Sequence, residues 1–564
     1  MATGATLSAS AGQPAQAIAK SVEKRVIFAS SLGTMFEWYD FFLAGSLAAE
    51  ISRSIFSGVK PQAAFIFTLL SFAAGFAVRP FGALVFGRLG DTVGRKYTFL
   101  ITIGLMGTAT CLIGLIPDYA SIGIAAPLLF VGMRMLQGLA LGGEYGGAVV
   151  YVAEHASNRQ RGEKTAWIQS TAALGLLLSL IVILPTRVIM GEVAFGAWGW
   201  RLPFLVSVLL LLVSLWVRLK LQESPEFARI RKEGRLSRAP ISEAFGQWRH
   251  LKLVLISLFG MVMGQAVVWY TGQFYAMFFL LQTLKVDGTT ANILIMIAVI
   301  VTTPFYVVFG QLSDRIGRKP VFLTGCLLGA LFFFPLFKAL THYAAPALEA
   351  AQMRAPIVIL ADPAECSIQF DPTGTSSFVS SCDVARRLIT KSGLNYEDRP
   401  LARGEVARVK IGTAVIESYD GQSENAKAEA TRFSAALASA LKANGYEIGP
   451  ADPDKINKPM TVLVLIVLML FGTMTYGPIA AMLAELFPSR IRYTAMSLPY
   501  HIGIGWFGGF LPAASFAIAA ATGNIYAGLW YPVSLAAACF VICLFFVPES
   551  KGVDIYSTAP LERV

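Results

Sequence analysis

A ten-residue pattern occurs twice in this chain, each time between two apolar runs long enough to cross a bilayer. The first copy is Gly87-Arg-Leu-Gly-Asp91-Thr-Val-Gly94-Arg95-Lys96 and the second is Gly310-Gln-Leu-Ser-Asp314-Arg-Ile-Gly317-Arg318-Lys319. Both read G-x-x-x-D-x-x-G-R-K. A charged turn repeated in this setting predicts a duplicated membrane protein. Glycine lets the backbone turn tightly and lets helices approach closely. The aspartate can pair with basic residues or with the positive end of a neighbouring helix. The pattern therefore also predicts contacts at the membrane surface that hold one conformation and break in another.

Only 14% of the 564 residues are charged and 55% are hydrophobic, against about one quarter charged in a typical globular chain. That deficit implies that lipid solvates most of the chain. The net charge of +11 would suit nucleic acid, but the Lys and Arg residues sit in short loops between apolar runs, so no nucleic-acid partner is expected. Cys111, Cys326, Cys539 and Cys543 lie in apolar runs and read as small buried hydrophobes. No metal-ligand cluster is visible in the sequence, and no metal is expected.

A span needs about 20 apolar residues. That rule yields twelve segments: 26–51, 62–86, 97–116, 122–146, 165–189, 200–221, 251–282, 289–310, 320–340, 459–482, 493–518 and 525–547. The repeated loop joins spans 2 and 3, then spans 8 and 9, the equivalent place in each half. The expected organisation is a disordered cytoplasmic tail (1–25), a six-span N-terminal half (26–221) and a basic cytoplasmic loop (222–250). Spans 7 to 9 (251–340), an insertion (341–458), spans 10 to 12 (459–547) and a cytoplasmic tail (548–564) follow.

Orientation follows from Lys and Arg in the short loops. One side collects Lys24, Arg25, Arg88, Arg95, Lys96, Arg159, Arg161, Lys164, the 222–250 cluster, Arg315, Arg318, Lys319, Arg490 and Arg492. The other side's short loops offer little beyond Arg53, Lys60 and Lys285. The first side is expected to be cytoplasmic, with both termini there and the insertion outside. Within the insertion, 357–360 and 406–418 read as strands and 383–391 and 426–442 as helices. This predicts a small α/β domain. Cys366 and Cys382 lie in it, and an oxidising compartment would permit a disulfide between them; spacing leaves that pairing open.

The chain resembles the major facilitator superfamily, and within it the bacterial metabolite:proton symporters. Besides the two loops, the resemblance rests on Phe36-Glu37-Trp38-Tyr39-Asp40, Arg79-Pro80-Phe81-Gly82, Arg134-Met-Leu-Gln137-Gly138 and Gly142-Gly143-Glu144. It continues in Gly199-Trp200-Arg201-Leu-Pro203-Phe204, Glu223-Ser224-Pro225-Glu226-Phe227, Glu485-Leu-Phe-Pro488-Ser-Arg490-Ile-Arg492-Tyr493 and Pro548-Glu549-Ser550-Lys551-Gly552. It implies an all-α membrane protein of twelve transmembrane helices in two six-helix bundles around a central cavity, with alternating access driven by a proton gradient. The α/β insertion between helices 9 and 10 departs from the simplest pattern of the family.

Charged residues inside a span cost about 2.5–3.5 kcal/mol on insertion scales and read as functional. Glu37 and Asp40 share a helix face, and two carboxylates in low dielectric compete for ionisation, which suits proton pickup and release. With Glu144 they are the expected coupling residues. Arg79 is the first choice to hold a substrate carboxylate in its planar fork. Tyr39, Gln265, Trp269, Tyr270, Gln273, Tyr500 and His501 are expected to line the same cavity. Asp91, Arg95, Asp314 and Arg318, with Arg134 and Arg201, are the expected gate residues.

These residues point to a proton-coupled importer of the bacterial inner membrane, monomeric, with no cofactor beyond the proton. The expected substrate is a small polar metabolite, either an organic acid (dicarboxylate, tricarboxylate or shikimate-like) or a zwitterionic osmolyte such as proline or betaine. The alternatives are an exporter on the same fold or a membrane sensor whose 341–458 domain binds ligand. No nucleophile–base set or metal cluster supports an enzyme.

Overall fold

The computed structural model describes residues 12–58, 61–219, 223, 225–234, 236–367, 378–447, 449 and 451–555. Inside a bilayer a backbone must satisfy its own hydrogen bonds, so long apolar runs become helices. The N-terminal half is built from α1 (Gly12–Ser46), α2 (Pro61–Thr92), α3 (Arg95–Leu115), α4 (Ala125–His155), α5 (Arg161–Met190) and α6 (Leu202–Leu219). The C-terminal half opens with α7 (Trp248–Thr283), α8 (Gly288–Ile316) and α9 (Arg318–Ala344). After the insertion helices α10 (Ser381–Lys391) and α11 (Ala426–Ala443), it closes with α12 (Lys458–Leu486), α13 (Arg492–Thr522) and α14 (Trp530–Phe546). Among the described residues, ten helices are long and apolar enough to cross a membrane: α3 to α9 and α12 to α14.

The packing repeats between halves. In the first, α4 packs on α2 and α3, and α6 on α3. In the second, α12 packs on α8 and α9, and α14 on α9. The halves meet through α2 against α13 and α5 against α8. The two repeated turns share their backbone: Gly94 and Gly317 have φ of +136° and +110°, where a side chain would be strained. Helices α2 and α4 approach closely, since a Cβ on Gly138 or Gly142 would strike the carbonyl of Gly75 or Arg79.

Two helices depart from regular α geometry. Helix α7 contains π turns at Leu258–Val262, Thr271–Tyr275 and Phe279–Thr283, and α13 contains one at Gly503–Gly508. Such turns concentrate at functional sites and hinges.

The insertion holds a four-stranded sheet of β1 (Ile357–Ala361), β2 (Glu397–Pro400), β3 (Arg408–Ile411) and β4 (Ala414–Glu417) in the order β2-β1-β3-β4. Strands β1 and β2 are parallel and the other pairs antiparallel. Ile357 opposite Ile411, and Ile359 opposite Val409, form a separate core with Val384, Ile389, Phe433 and Leu437. A disulfide joins Cys366 to Cys382, with Cα atoms 5.3 Å apart.

Three expectations need correction. The tail expected to be disordered is helical from Gly12 onward, because its Ala, Gln and Lys residues are good helix formers that continue into the first span; residues 1–11 lie outside the described set. The first span stops at Ser46 and a short helix, Ala48–Ile55, follows. The strand expected over 406–418 is two strands folded back on each other at Gly412. Strand β2 had no sequence signal, because Glu397-Asp-Arg-Pro400 is an exposed, charged edge.

Candidate functional site

The centre of the molecule is built around Arg79. Helix α2 carries it, and its side chain is buried. Its guanidinium carbon lies 4.2 Å from the Phe76 ring centroid, 4.3 Å from that of Phe41 and 5.6 Å from that of Trp38. Aromatic faces attract a cation but do not occupy its N–H donors. Nε and one Nη of Arg79 have no hydrogen-bond partner among the described residues.

The C-terminal half supplies the facing wall. Trp269 lies 6.4 Å from Trp38, and Tyr270 lies 5.9 Å from Phe76. Tyr500 stacks on Tyr145 at 3.4 Å. Tyr270, Tyr476, Tyr500 and His501 are within electrostatic reach of Arg79. Part of this wall is internally satisfied. Trp269 and Gln273 donate to the Tyr306 hydroxyl at 2.5 and 3.0 Å. Tyr476 and Tyr500 share a bond at 2.8 Å, and Gln169 donates to Tyr145 at 2.8 Å. Other groups are not: the Tyr270 hydroxyl, both ring nitrogens of His501 and both amide atoms of Gln265 have no partner among the described residues. Each buried polar group left unpaired costs about 1–3 kcal/mol. Of these, Tyr270 and His501 lie within electrostatic reach of Arg79.

A second cluster lies within the N-terminal half. Arg218 of α6 is buried and pairs with Glu144 and, at 3.6 Å, with Glu37. Glu144 also accepts from the Thr102 hydroxyl at 2.8 Å, and Glu37 lies within hydrogen-bond reach of Glu144. Asp40 is within reach of Thr110 and Arg134. Arg134 donates to Gln137 at 2.5 Å, and Gln137 donates to Thr110 at 2.7 Å. Three buried carboxylates thus share a compartment with three buried arginines: Arg79, Arg134 and Arg218.

The third group closes the end of the molecule where the repeated turns lie. Asp91 accepts from the amide and hydroxyl of Thr494 at 2.9 and 2.7 Å, at the start of α13. Asp314 accepts from the amides of Gly162 and Glu163 at 2.9 and 2.8 Å, at the start of α5. Each aspartate therefore reaches across to the positive end of a helix in the other half. Two buried ion pairs cross in the same way: Arg161 with Glu485 at 2.9 Å, and Arg492 with Glu154 at 3.0 Å. Arg318 joins Glu485 at 3.1 Å and Asp314 at 2.5 Å. Tyr493 donates to the Gly143 carbonyl. The side chain of Arg95 lies outside the described residues.

Not every expected residue falls in its expected group. The Tyr39 hydroxyl donates to the Pro203 carbonyl at 2.7 Å, facing α6 rather than the central aromatics. Arg134 sits in the central network, 4.7 Å from the Phe41 ring and far along α4 from Glu154. Arg201 stacks on Trp200 at 4.4 Å and donates to Ile116 and Ser54, all within the N-terminal half. Sequence reasoning missed Arg218, whose position inside the sixth apolar run was the available signal. It also missed Tyr145, Tyr306 and Tyr476, and it read Arg161, Glu485 and Arg492 only as topology or motif residues.

Comparison with known proteins bears on the family and the fold. The sequence profile described as Major Facilitator Superfamily matches residues 30–351, and that described as Sugar (and other) transporter matches residues 434–561. The chain belongs to the major facilitator superfamily and is a multi-pass membrane protein. It is 36% identical over 327 residues to a proline/betaine transporter of Salmonella typhimurium, covering 56% of this chain and 64% of that relative. The match thus spans less than two thirds of that relative's length. It is 34% identical over 330 residues to the shikimate transporter of Escherichia coli, covering 56% of this chain and 72% of the relative. Among solved structures, the proton:xylose symporter XylE bound to 6-bromo-6-deoxy-D-glucose superposes with a TM-score of 0.60 at 15% identity. That superposition covers 95% of this chain and 98% of the other. A partially occluded inward-open XylE from E. coli gives 0.56. These likenesses identify the fold.

Proposed function

We propose that this protein imports a small organic anion together with a proton, by alternating access between two six-helix bundles spanning the bacterial inner membrane twelve times. The observation that carries this reading is Arg79: a buried guanidinium enclosed by Phe41, Phe76 and Trp38, with donors that no described residue accepts. A carboxylate fits its fork. Proline, betaine and shikimate, the molecules for which relatives are named, each carry one.

Charge counting supplies the coupling. Asp40 balances Arg134. Glu37 and Glu144 share Arg218, which leaves one negative charge in excess, and Arg79 leaves one positive charge. Counted with all six side chains ionised, the site is neutral as a whole. A carboxylate on Arg79 with a proton on Glu37 or Glu144 is neutral again. Either guest alone leaves a net charge buried in the membrane core, which is costly. Carboxylate and proton therefore travel together. A zwitterion adds no net charge, so with a proton it would leave one positive charge in excess, and the count favours a monoanion over betaine or proline for coupled transport.

The turns at Asp91 and Asp314, with the crossed pairs of Glu154 and Glu485, form the cytoplasmic gate, which is shut in this conformation. The basic loops support a cytoplasmic position for that face and both termini, with the insertion outside. The protein acts as a monomeric carrier and catalyses no reaction.

Uptake by energised proteoliposomes tests this. Labelled shikimate, citrate, 2-oxoglutarate, proline and betaine are offered with and without a protonophore. Accumulation of one acid, abolished by protonophore and insensitive to membrane potential at fixed pH gradient, is the expected result. Potential-dependent accumulation of a zwitterion would overturn the charge count. Accumulation only against an imposed outward gradient would make the protein an exporter.

A further inference from the structure

The insertion is fastened to the ends of two helices, and these are the two whose π turns flank the site. Residues 392–396, between α10 and β2, form the fastening. The Tyr396 amide donates to the Gly523 carbonyl at 2.9 Å, just past the end of α13. Its hydroxyl donates to the Ala520 carbonyl at 3.2 Å. Asn395 accepts from the Ile525 amide at 2.7 Å and donates to Gln352 of the insertion at 3.1 Å. Gly523, at φ +69°, lies against the Tyr396 ring with no room for a Cβ. In the same loop Gly393 backs onto the carbonyl of Thr283, the last residue of α7. Beyond it, the Lys285 carbonyl accepts from the Ala451 amide, in the segment returning from the insertion, at 2.8 Å.

The π turns give these fastenings a consequence. In α13 the turn Gly503–Gly508 separates Tyr500 and His501 from the arm Leu511–Thr522 that the insertion grips. In α7 the turn Thr271–Tyr275 contains Gln273 and follows Trp269 and Tyr270, and the turn Phe279–Thr283 ends where the insertion docks. A π turn interrupts the regular hydrogen-bond ladder, and kinks form at such breaks. Each helix thus has a hinge beside its site residues and an arm beyond the hinge. One five-residue loop touches both arms.

We propose that the insertion is a strap that makes the outer arms of α7 and α13 move as a single unit, so that the two walls of the site carried by these helices open and close together. Asn395 and Tyr396 are its positioning residues. The strap acts on helix geometry, so it holds whatever the substrate proves to be.

The test uses full-length protein without substrate. Spin labels are placed at Gln282→Cys and Thr522→Cys in a Cys111→Ser background, and the inter-label distance distribution is measured in lipid nanodiscs. A single narrow distance is expected, broadening or splitting in Asn395→Ala/Tyr396→Ala. Tyr396→Phe, which keeps the ring and the backbone bond, should stay near the parent. Asn395→Leu, which deletes the acceptor for Ile525 and the donor to Gln352 but keeps Tyr396, gives an intermediate width and replaces the double variant if that variant does not remain monodisperse. Equal distributions in the parent and every loosened variant would overturn the strap. A protein that fails in the uptake assay but shows the broadening would keep the strap and lose the transport reading.

Discussion

At the scale of single residues, Arg218 and Arg79 differ: the first is ion-paired, and the second has no carboxylate partner among the described residues. Arg218 stands between Glu37 and Glu144. Arg218→Gln leaves two buried carboxylates without their cation, and breaking a buried pair this way costs about 3–5 kcal/mol. The expected outcome is a lower unfolding temperature in detergent, partly restored by Glu144→Gln, which removes one stranded charge. Equal destabilisation by the single and double variants would mean that Arg218 serves packing alone. Arg79 behaves in the opposite way, since its stacking partners are rings and no carboxylate loses a partner when it is replaced. Arg79→Gln should lower the unfolding temperature by less than Arg218→Gln does and raise the KM for a carboxylate substrate by at least about tenfold, the loss of one charge-assisted bond. Arg79→Lys keeps the charge but not the fork, and should recover only part of the affinity. The sequence made Arg79, Glu37, Asp40 and Glu144 conspicuous, because a charge inside an apolar run stands out. It did not reveal their pairing, which depends on which helix faces which. Arg218 escaped notice because it lies near the end of its run, where an arginine more often reaches for headgroups.

At the scale of elements, the apolar runs made nearly every long helix legible, since hydropathy and the bilayer's width act on the same residues. The ends were less legible. Helix α4 continues to His155, and α1 begins at Gly12, because helical geometry persists into polar sequence where hydropathy no longer marks it. The π turns in α7 and α13 had no sequence signature beyond a run of glycines in the second. The insertion's β1 and both its helices were legible from apolar patterning, whereas β2 was hidden by its charges. Close contact between α2 and α4 yields a prediction at this scale. Gly138→Leu places a side chain against the Gly75 carbonyl, where backbone rather than a flexible side chain must move. The expected outcome is poor recovery of monodisperse protein, or a loss of at least about 1–3 kcal/mol as for other overpacked contacts. Gly132→Leu, on the same helix with open space around it, is the matched control and should be tolerated.

At the scale of the whole molecule, the two halves are held shut at one end by contacts that each half makes to the other in the same manner. Glu154 and Arg161 in the first half correspond to Glu485 and Arg492 in the second, and the bonds run crosswise. The duplication was legible from the repeated turn; the crosswise pairing was not, because it exists only once the halves face each other. Glu485 carries more than its counterpart, since it meets Arg161, Arg318 and the Ser550 hydroxyl together. Replacing it therefore takes a carboxylate from two arginines at once: Arg161 across the junction, and Arg318, which keeps Asp314. Glu485→Gln should shift the population toward the form open at that end. The readout is alkylation of a cysteine placed at Ser497, which is buried, by a membrane-impermeant reagent supplied from the side of that junction. Glu154→Gln should raise the rate less, because it frees Arg492 alone, which also donates to the Phe487 and Ile555 carbonyls. Asp91→Asn keeps a hydrogen-bond acceptor for Thr494 but removes the charge at the start of α13, so it should fall between the two. Alkylation that is equally slow in all three variants would mean that the closed end is held by packing of α2 on α13 and α5 on α8, and that the charges at the repeated turns serve orientation in the membrane instead.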